Sequence, residues 1–139
     1  MEERHYGHKK MIVWQMADKL DILIQKALNK IPKYEFRLRE QLDSATDSVG
    51  SNFVEGYYSN SLPEYIRFCS YSKRSLGEVQ QRMRRVLRKR YVSESEYKEI
   101  DSVAGRTMYL FGRLIDSLER KKTREEEIKK GIKLKRKRL

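Results

Sequence analysis

Apolar side chains along this chain recur every three or four positions with polar residues between them, the pattern of amphipathic helices. A first stripe reads Val13, Met16, Ala17, Leu20, Leu23, Ile24, Ala27, Leu28 and Ile31. It closes at Pro32, because proline disfavours helical geometry in the residue before it. A second begins near Tyr34 and reads Leu38, Leu42, Ala45, Val49 and Phe53, ending around Gly56, with Tyr57-Tyr58-Ser59-Asn60 as the connection. The third opens on a capping box, with Ser61 as N-cap, Pro63 in the first turn and Glu64 three residues after the cap. Its stripe is Tyr65, Phe68, Cys69, Ser72, Leu76, Val79, Met83, Val86 and Leu87. The fourth opens the same way with Ser93 and Glu96, and continues through Tyr97, Ile100, Ala104, Thr107, Phe111, Leu114 and Leu118. No segment sustains a period of two.

These stripes predict helices over about 9–31, 34–56, 62–90 and 94–120. Connections so short can only turn the chain back beside itself. The expected fold is therefore all-α, an antiparallel up-down-up-down four-helix bundle over residues 1–120. Beyond Glu119 the apolar period fails, and residues 121–139 read as a basic tail, partly helical or disordered.

Composition sharpens this picture. The chain has 139 residues, enough for one domain, and 38% of them are hydrophobic. The deficit is local, since residues 119–139 hold only Ile128, Ile132, Leu134 and Leu139 as apolar side chains. No stretch approaches the ~18 uncharged apolar residues of a membrane span, and the first ten residues lack the apolar run of a secretion signal. Cys69 is the single cysteine, so neither an intrachain disulfide nor a cysteine-based zinc site can form. A cytoplasmic protein is expected.

Three features exceed what a lone bundle needs. Trp14 lies off the first core stripe, beside Asp18, Asp21 and Gln25. Gly105, Met108, Gly112 and Ile115 form a second stripe beside the core stripe of the fourth helix. Each interior glycine costs that helix about 1 kcal/mol against alanine. Ser44, Ser48, Ser51, Asn52, Glu55 and Gly56 form a small, polar strip on the second. Either Trp14 covers a bundle end and the glycines permit tight packing within the chain, or these faces assemble copies into a ring-shaped homo-oligomer.

Charge is the strongest signal. Lys plus Arg number 32 against 20 Asp plus Glu, a net charge of +12. It concentrates in two places. Residues 119–139 carry 11 Lys/Arg and 4 Glu, including Lys133, Lys135, Arg136, Lys137 and Arg138. The end of the third helix places Arg82, Arg84, Arg85, Arg88, Lys89 and Arg90 within nine residues, and Arg67, Arg74, Arg85 and Arg88 share one helical face. One or two cations suffice to complement a helix dipole, and like charges at i, i+4 repel. The excess points to an anionic partner, most simply the phosphates of RNA or DNA, bound with little regard to base sequence. The competing reading is a solvated, solubilising face. The tail has too few apolar residues for an interfacial membrane helix.

Chemistry-bearing constellations are sparse. His5 and His8 at i, i+3 make a poor metal site alone, and no Glu-x-x-His motif accompanies them. Glu55 and Glu78 are candidates to face inward, held by an ion pair or by Ser and Asn hydrogen bonds. Cys69 sits on an apolar stripe as a small core residue. Tyr57, Tyr58, Tyr65 and Tyr71 surround one turn, either stacking on bases or packing. With no glycine-rich phosphate loop and no Ser/His/Asp set, no catalytic residue, metal or cofactor is expected.

Several of these residues form a recognisable set. Val13-Trp14-Gln15-Met16-Ala17 resembles the V-W-x-x-A opening of the four-helix bundle proteins encoded in intervening sequences of bacterial large-subunit rRNA genes. Ser48, Ser51-Asn52 and Glu55-Gly56 match that family's S-x-x-S-N-x-x-E-G segment. Glu64, Tyr65, Arg67, Phe68, Ser75 and Glu78 match its E-(F/Y)-x-R-F…S-x-x-E stretch. The likeness covers about residues 10–120. The same superfamily includes the accessory variability proteins of diversity-generating retroelements. The resemblance implies a homopentameric barrel of bundles and, for the retroelement branch, binding to a reverse transcriptase and to nucleic acid. Val49-Gly50 stands where isoleucine-proline is usual, and Phe53-Val54 where isoleucine-alanine is; the long basic tail tilts the reading toward the retroelement branch.

Overall fold

The computed structural model describes residues 7–138; His5, a candidate above, lies outside them. A 3-10 turn, Gly7–Lys10, leads into four α-helices: α1 (Ile12–Leu28), α2 (Phe36–Tyr57), α3 (Leu62–Arg88) and α4 (Glu94–Arg138). No strand forms among the described residues. Connections of seven, four and five residues reverse the chain each time. Each helix packs on its neighbours in sequence and α4 returns against α1, giving the antiparallel four-helix bundle that the periodicity predicts.

The core follows the apolar stripes. Leu20, Ile24, Leu42, Val49, Phe53, Leu76, Val79, Met83, Val86 and Phe111 are fully enclosed, each such burial contributing roughly 1.5–3 kcal/mol. The Phe53 and Phe111 rings meet edge to face with centroids 5.9 Å apart. Two details fix how α2 lies on α3. A Cβ on Gly56 would sit 2.8 Å from the Phe68 Cβ and 3.3 Å from the Tyr65 Cα, so only glycine allows the helices to approach this closely. The buried Ser72 hydroxyl donates to the Val49 carbonyl across the same interface at 2.8 Å.

Helix ends account for the differences from the expected boundaries. The α1 helix stops at Leu28, before Ile31, because the chain tightens into i, i+3 turns ahead of Pro32. Arg39 of α2 reaches over to donate from Nη1 to the Leu28 and Ile31 carbonyls at 2.5 and 2.7 Å. Ser93 and Glu96 form the full reciprocal box, with the Glu96 N–H on the Ser93 hydroxyl at 3.1 Å and the Ser93 N–H on the Glu96 carboxylate at 3.2 Å. At α3 only half of the box closes: the Glu64 N–H reaches Ser61 at 3.4 Å, while the Glu64 carboxylate turns to Arg67 at 2.6 Å.

The fourth helix does not stop where its apolar stripe stops. Leu118 is its last buried side chain, yet the helix runs on to Arg138, and from Glu119 onward only Lys122 is even half-buried. This arm of twenty residues is about 30 Å long at 1.5 Å per residue. It needs no nucleus of its own, since the packed turns before it supply one. Glu125 and Lys129, then Glu126 and Lys130, stand at i, i+4 in the favourable order, and the terminal cations complement the helix dipole.

Candidate nucleic-acid interface

The bundle topology separates the two concentrations of positive charge. The C-terminus of α3 and the N-terminus of α4 share one end; the N-terminus of α3 and the exit of the arm share the other. The packed part of α4, Glu94 to Leu118, holds them about 37 Å apart. Arg67, Arg74 and Arg85 lie within about 20° of one another around α3 and Arg88 stands about 60° to one side. All four are exposed, two toward each end of the helix, with the exposed Glu78 about 20° off the same line between them.

The cations differ in how free they are. Arg67 is paired with Glu64 and lies 5.7 Å from the Phe68 ring, and Arg74 rests 5.5 Å from the Tyr71 ring. Lys89 is paired at 2.7 Å with Glu35, and that hydrogen bond, with Arg85 nearby, holds the Glu35 carboxyl below the usual carboxylate range. Arg82 is half-buried, its Nε enclosed without a hydrogen-bond partner. Arg84 and Arg88, with Leu87 and Tyr97, line an open cleft of about 290 Å³ between α3 and α4.

Arg90 is unusual in its backbone. The Arg90 N–H donates to the Leu87 carbonyl at 2.8 Å and the Tyr91 N–H to the Val86 carbonyl at 3.2 Å, the paired bonds of a Schellman ending. Its φ is 64°, in the left-handed region where a side chain costs about 1 kcal/mol or more and glycine is the usual occupant. A guanidinium is thus kept at the cationic end at the expense of backbone comfort.

In the arm the charge is divided. From Glu119 to Ile128 four cations face four glutamates; from Lys129 to Arg138 there are seven cations and no acid. Among the described residues no ion pair involves a cation of the arm. Lys133, Lys135, Arg136, Lys137 and Arg138 are all exposed.

The expected assembly faces are only partly free. Trp14 is half-buried in an aromatic cluster: His8 meets it edge to face at 5.4 Å, and the Lys9 ammonium stands 5.8 Å from its centroid. His8 also hydrogen-bonds the Tyr58 hydroxyl at 2.9 Å, and burial, followed by Lys9, lowers its pKa. Met108 and Ile115 are half-buried against the core. A Cβ on Gly105 would meet nothing within 4 Å, and one on Gly112 only the Lys73 Nζ at 3.8 Å. Tight packing within the chain therefore does not explain these two glycines.

Other candidates resolve into structural roles. Glu55 and Glu78 are exposed, correcting the inward orientation considered above: both sit on the solvent side of helices whose opposite faces carry Phe53 and Leu76. Ser48, Ser51 and Asn52 donate to the Ser44, Asp47 and Ser48 carbonyls of their own helix. Cys69 is enclosed, and burial pushes its thiol up to about 12, leaving it without thiolate reactivity. Tyr57 and Tyr65 pack around Phe53. Among the described residues no three His, Cys, Asp or Glu side chains gather to hold a metal, and no helix is long and apolar enough to cross a membrane.

Comparison with known proteins agrees with this fold. The family model described as 23S rRNA-intervening sequence protein matches residues 9–110. A solved structure from Bacteroides thetaiotaomicron, described as a protein of unknown function from the S23 ribosomal protein family, is similar in fold with a TM-score of 0.70. It is 17% identical, and the match covers 75% of this chain and 98% of that one. No curated protein matches.

Proposed function

This chain belongs to the family of 23S rRNA-intervening sequence proteins, and from that premise we propose that it is a non-catalytic, basic accessory protein that binds nucleic acid. It works as a homo-oligomer, a pentamer by resemblance, and serves a reverse transcriptase of a diversity-generating retroelement. The observation that carries the binding reading is the set of exposed arginines on one side of α3, Arg67 and Arg74 toward its start and Arg85 and Arg88 toward its end, the latter joined by Arg84, Lys89 and Arg90. Guanidinium groups on one side of a helix can pair with backbone phosphates and ignore the bases.

Fluorescence anisotropy with labelled RNA and DNA tests this reading. The logarithm of affinity should fall linearly with the logarithm of salt concentration. Arg85→Glu with Arg88→Glu should weaken binding to every sequence alike. Affinity indifferent to both salt and these substitutions would overturn it.

The outward-facing Gly105 and Gly112 support a second reading, a scaffold whose helical surface holds a partner enzyme. Light scattering decides the first step. A mass above 16.7 kDa that falls to one chain in Gly105→Leu with Gly112→Leu, helices intact, places self-assembly on this face. A partner enzyme captured after nuclease treatment, with no direct RNA or DNA binding, would favour the scaffold.

A further inference from the structure

The arm and α3 present charge in opposite ways. On α3 the arginines share one side, which suits a surface touched from one direction. At the tip of the arm Lys135, Arg136, Lys137 and Arg138 are consecutive. Consecutive side chains leave a helix axis about 100° apart, so these four cover every side of the helix within a single turn. Lys129, Lys130 and Lys133 add charge in the turns before. A flat or convex polyanion could reach only half of them. What can reach all of them is a concave ligand with phosphates on both flanks.

From this we infer that the distal arm, Lys129 to Arg138, lies in the major groove of B-form duplex DNA. The inference rests on the nucleic-acid reading above and deepens it by naming the element and the ligand form. A B-form major groove is ~12 Å wide and walled by two phosphate backbones, and it admits an α-helix with its side chains, ~10–12 Å across. An A-form RNA duplex has a deep, narrow major groove that excludes such a helix. Single strands have no second wall.

Three further features fit this ligand. The tip makes no ion pair within the described chain, so no internal pairing is broken on binding. The arm is already helical to Arg138, so little ordering entropy is lost when it docks. The proximal segment, with Glu119, Glu125, Glu126 and Glu127 among its cations, is electrically balanced and holds the tip clear of the bundle. No aromatic side chain occurs beyond Phe111, so stacking on unpaired bases has no platform in the arm.

The test uses the full chain with Lys135→Gln, Arg136→Gln, Lys137→Gln and Arg138→Gln together. Glutamine keeps helix propensity, and the arm lies outside the core, so the thermal midpoint and helical signal should match the parent. The probes are a mixed-sequence DNA duplex, its RNA duplex counterpart and a single strand. The parent should bind the DNA duplex at least tenfold more tightly than the other two. The variant should lose that margin, and its salt slope on duplex DNA should fall by about 3–4, at ~0.9 for each phosphate no longer neutralised. Dimethyl sulfate should find guanine N7, an atom of the major groove, protected by the parent and unprotected by the variant.

Equal loss on all three probes, N7 left open by the parent, or displacement of duplex by polyglutamate at matched charge would each overturn the groove assignment. A parent that binds nucleic acid with a variant that binds equally well overturns this inference alone. A parent that binds no nucleic acid overturns the reading beneath it as well.

Discussion

The fourth helix passes through two environments without a break in its backbone. Up to Leu118 it is one wall of a bundle, with Ile100, Val103, Ala104, Thr107 and Phe111 shut away from water; from Glu119 only Lys122 is even half-buried, and Lys121 and Glu125 border a cleft at the α2–α3 turn. The first part is helical because an apolar stripe is buried. The second is helical because the first nucleates it, and because two Glu–Lys pairs at i, i+4 and the helix dipole offset the repulsion among its terminal cations. Stability resides in one region and unspent charge in the other, so substitutions in the two should read out in different experiments.

The sharpest contrast is in chemical denaturation at fixed protein concentration. Phe53→Ala removes a ring packed on Phe111, Tyr57 and Tyr65 and should cost about 3–5 kcal/mol. Ile132→Ala in the arm should stay within about 0.5 kcal/mol; a loss comparable to that of Phe53→Ala would mean the arm is packed after all. Gly56→Ala forces α2 and α3 apart and should cost about 1–3 kcal/mol. Smaller still, Ser93→Ala should cost about 1 kcal/mol by opening a complete capping box, and Ser61→Ala measurably less because its box is half-formed. Equal losses at the two serines would remove that distinction.

The smallest effect is local. The folded imidazole of His8 has its pKa lowered below the ordinary 6.5 by burial and by Lys9, so the folded state resists a proton that the unfolded chain accepts. Docking of the 3-10 turn is fully supported above that ordinary value and is lost as the pH falls through the lowered one. Lys9, Tyr57, Tyr58 and Trp14 surround this part of the fold. Trp14 is the only tryptophan, so its fluorescence should change over this window in the parent and not in His8→Gln, with helical signal constant in both. Arm and bundle can also be separated by brief trypsin digestion. Cleavage should begin within residues 119–138 and leave the bundle intact.

Much of the fold is legible in the residues. The stripes from Val13 to Leu118 name nearly every buried side chain, because burial on one side of a helix imposes its period on the chain. Ser93 and Glu96 announce their helix start for an equally local reason. Long-range geometry is not legible. Nothing near Arg39 in sequence says that it caps α1, since the carbonyls that it reaches belong to Leu28 and Ile31. Arg90 gives no sign of its left-handed backbone, because that position usually carries glycine. The six-cation run at the end of α3 and the tail stand out in the sequence, but only the topology puts them at opposite ends. Along the chain His8 pairs with His5 as a weak metal candidate, whereas the fold gives it Trp14, Tyr57 and Tyr58 as neighbours.

The separation of the two cationic ends sets a minimum footprint. The unbalanced charge of the arm begins at Lys129, about 52 Å along α4 from its start beside the Arg90 end; a duplex rises about 3.4 Å per base pair, so about 15 base pairs are needed to span both at once. Shorter oligonucleotides can occupy one end at a time, and two could bind one molecule. Stoichiometry should therefore change with oligonucleotide length, a dependence that a single compact binding patch would not produce.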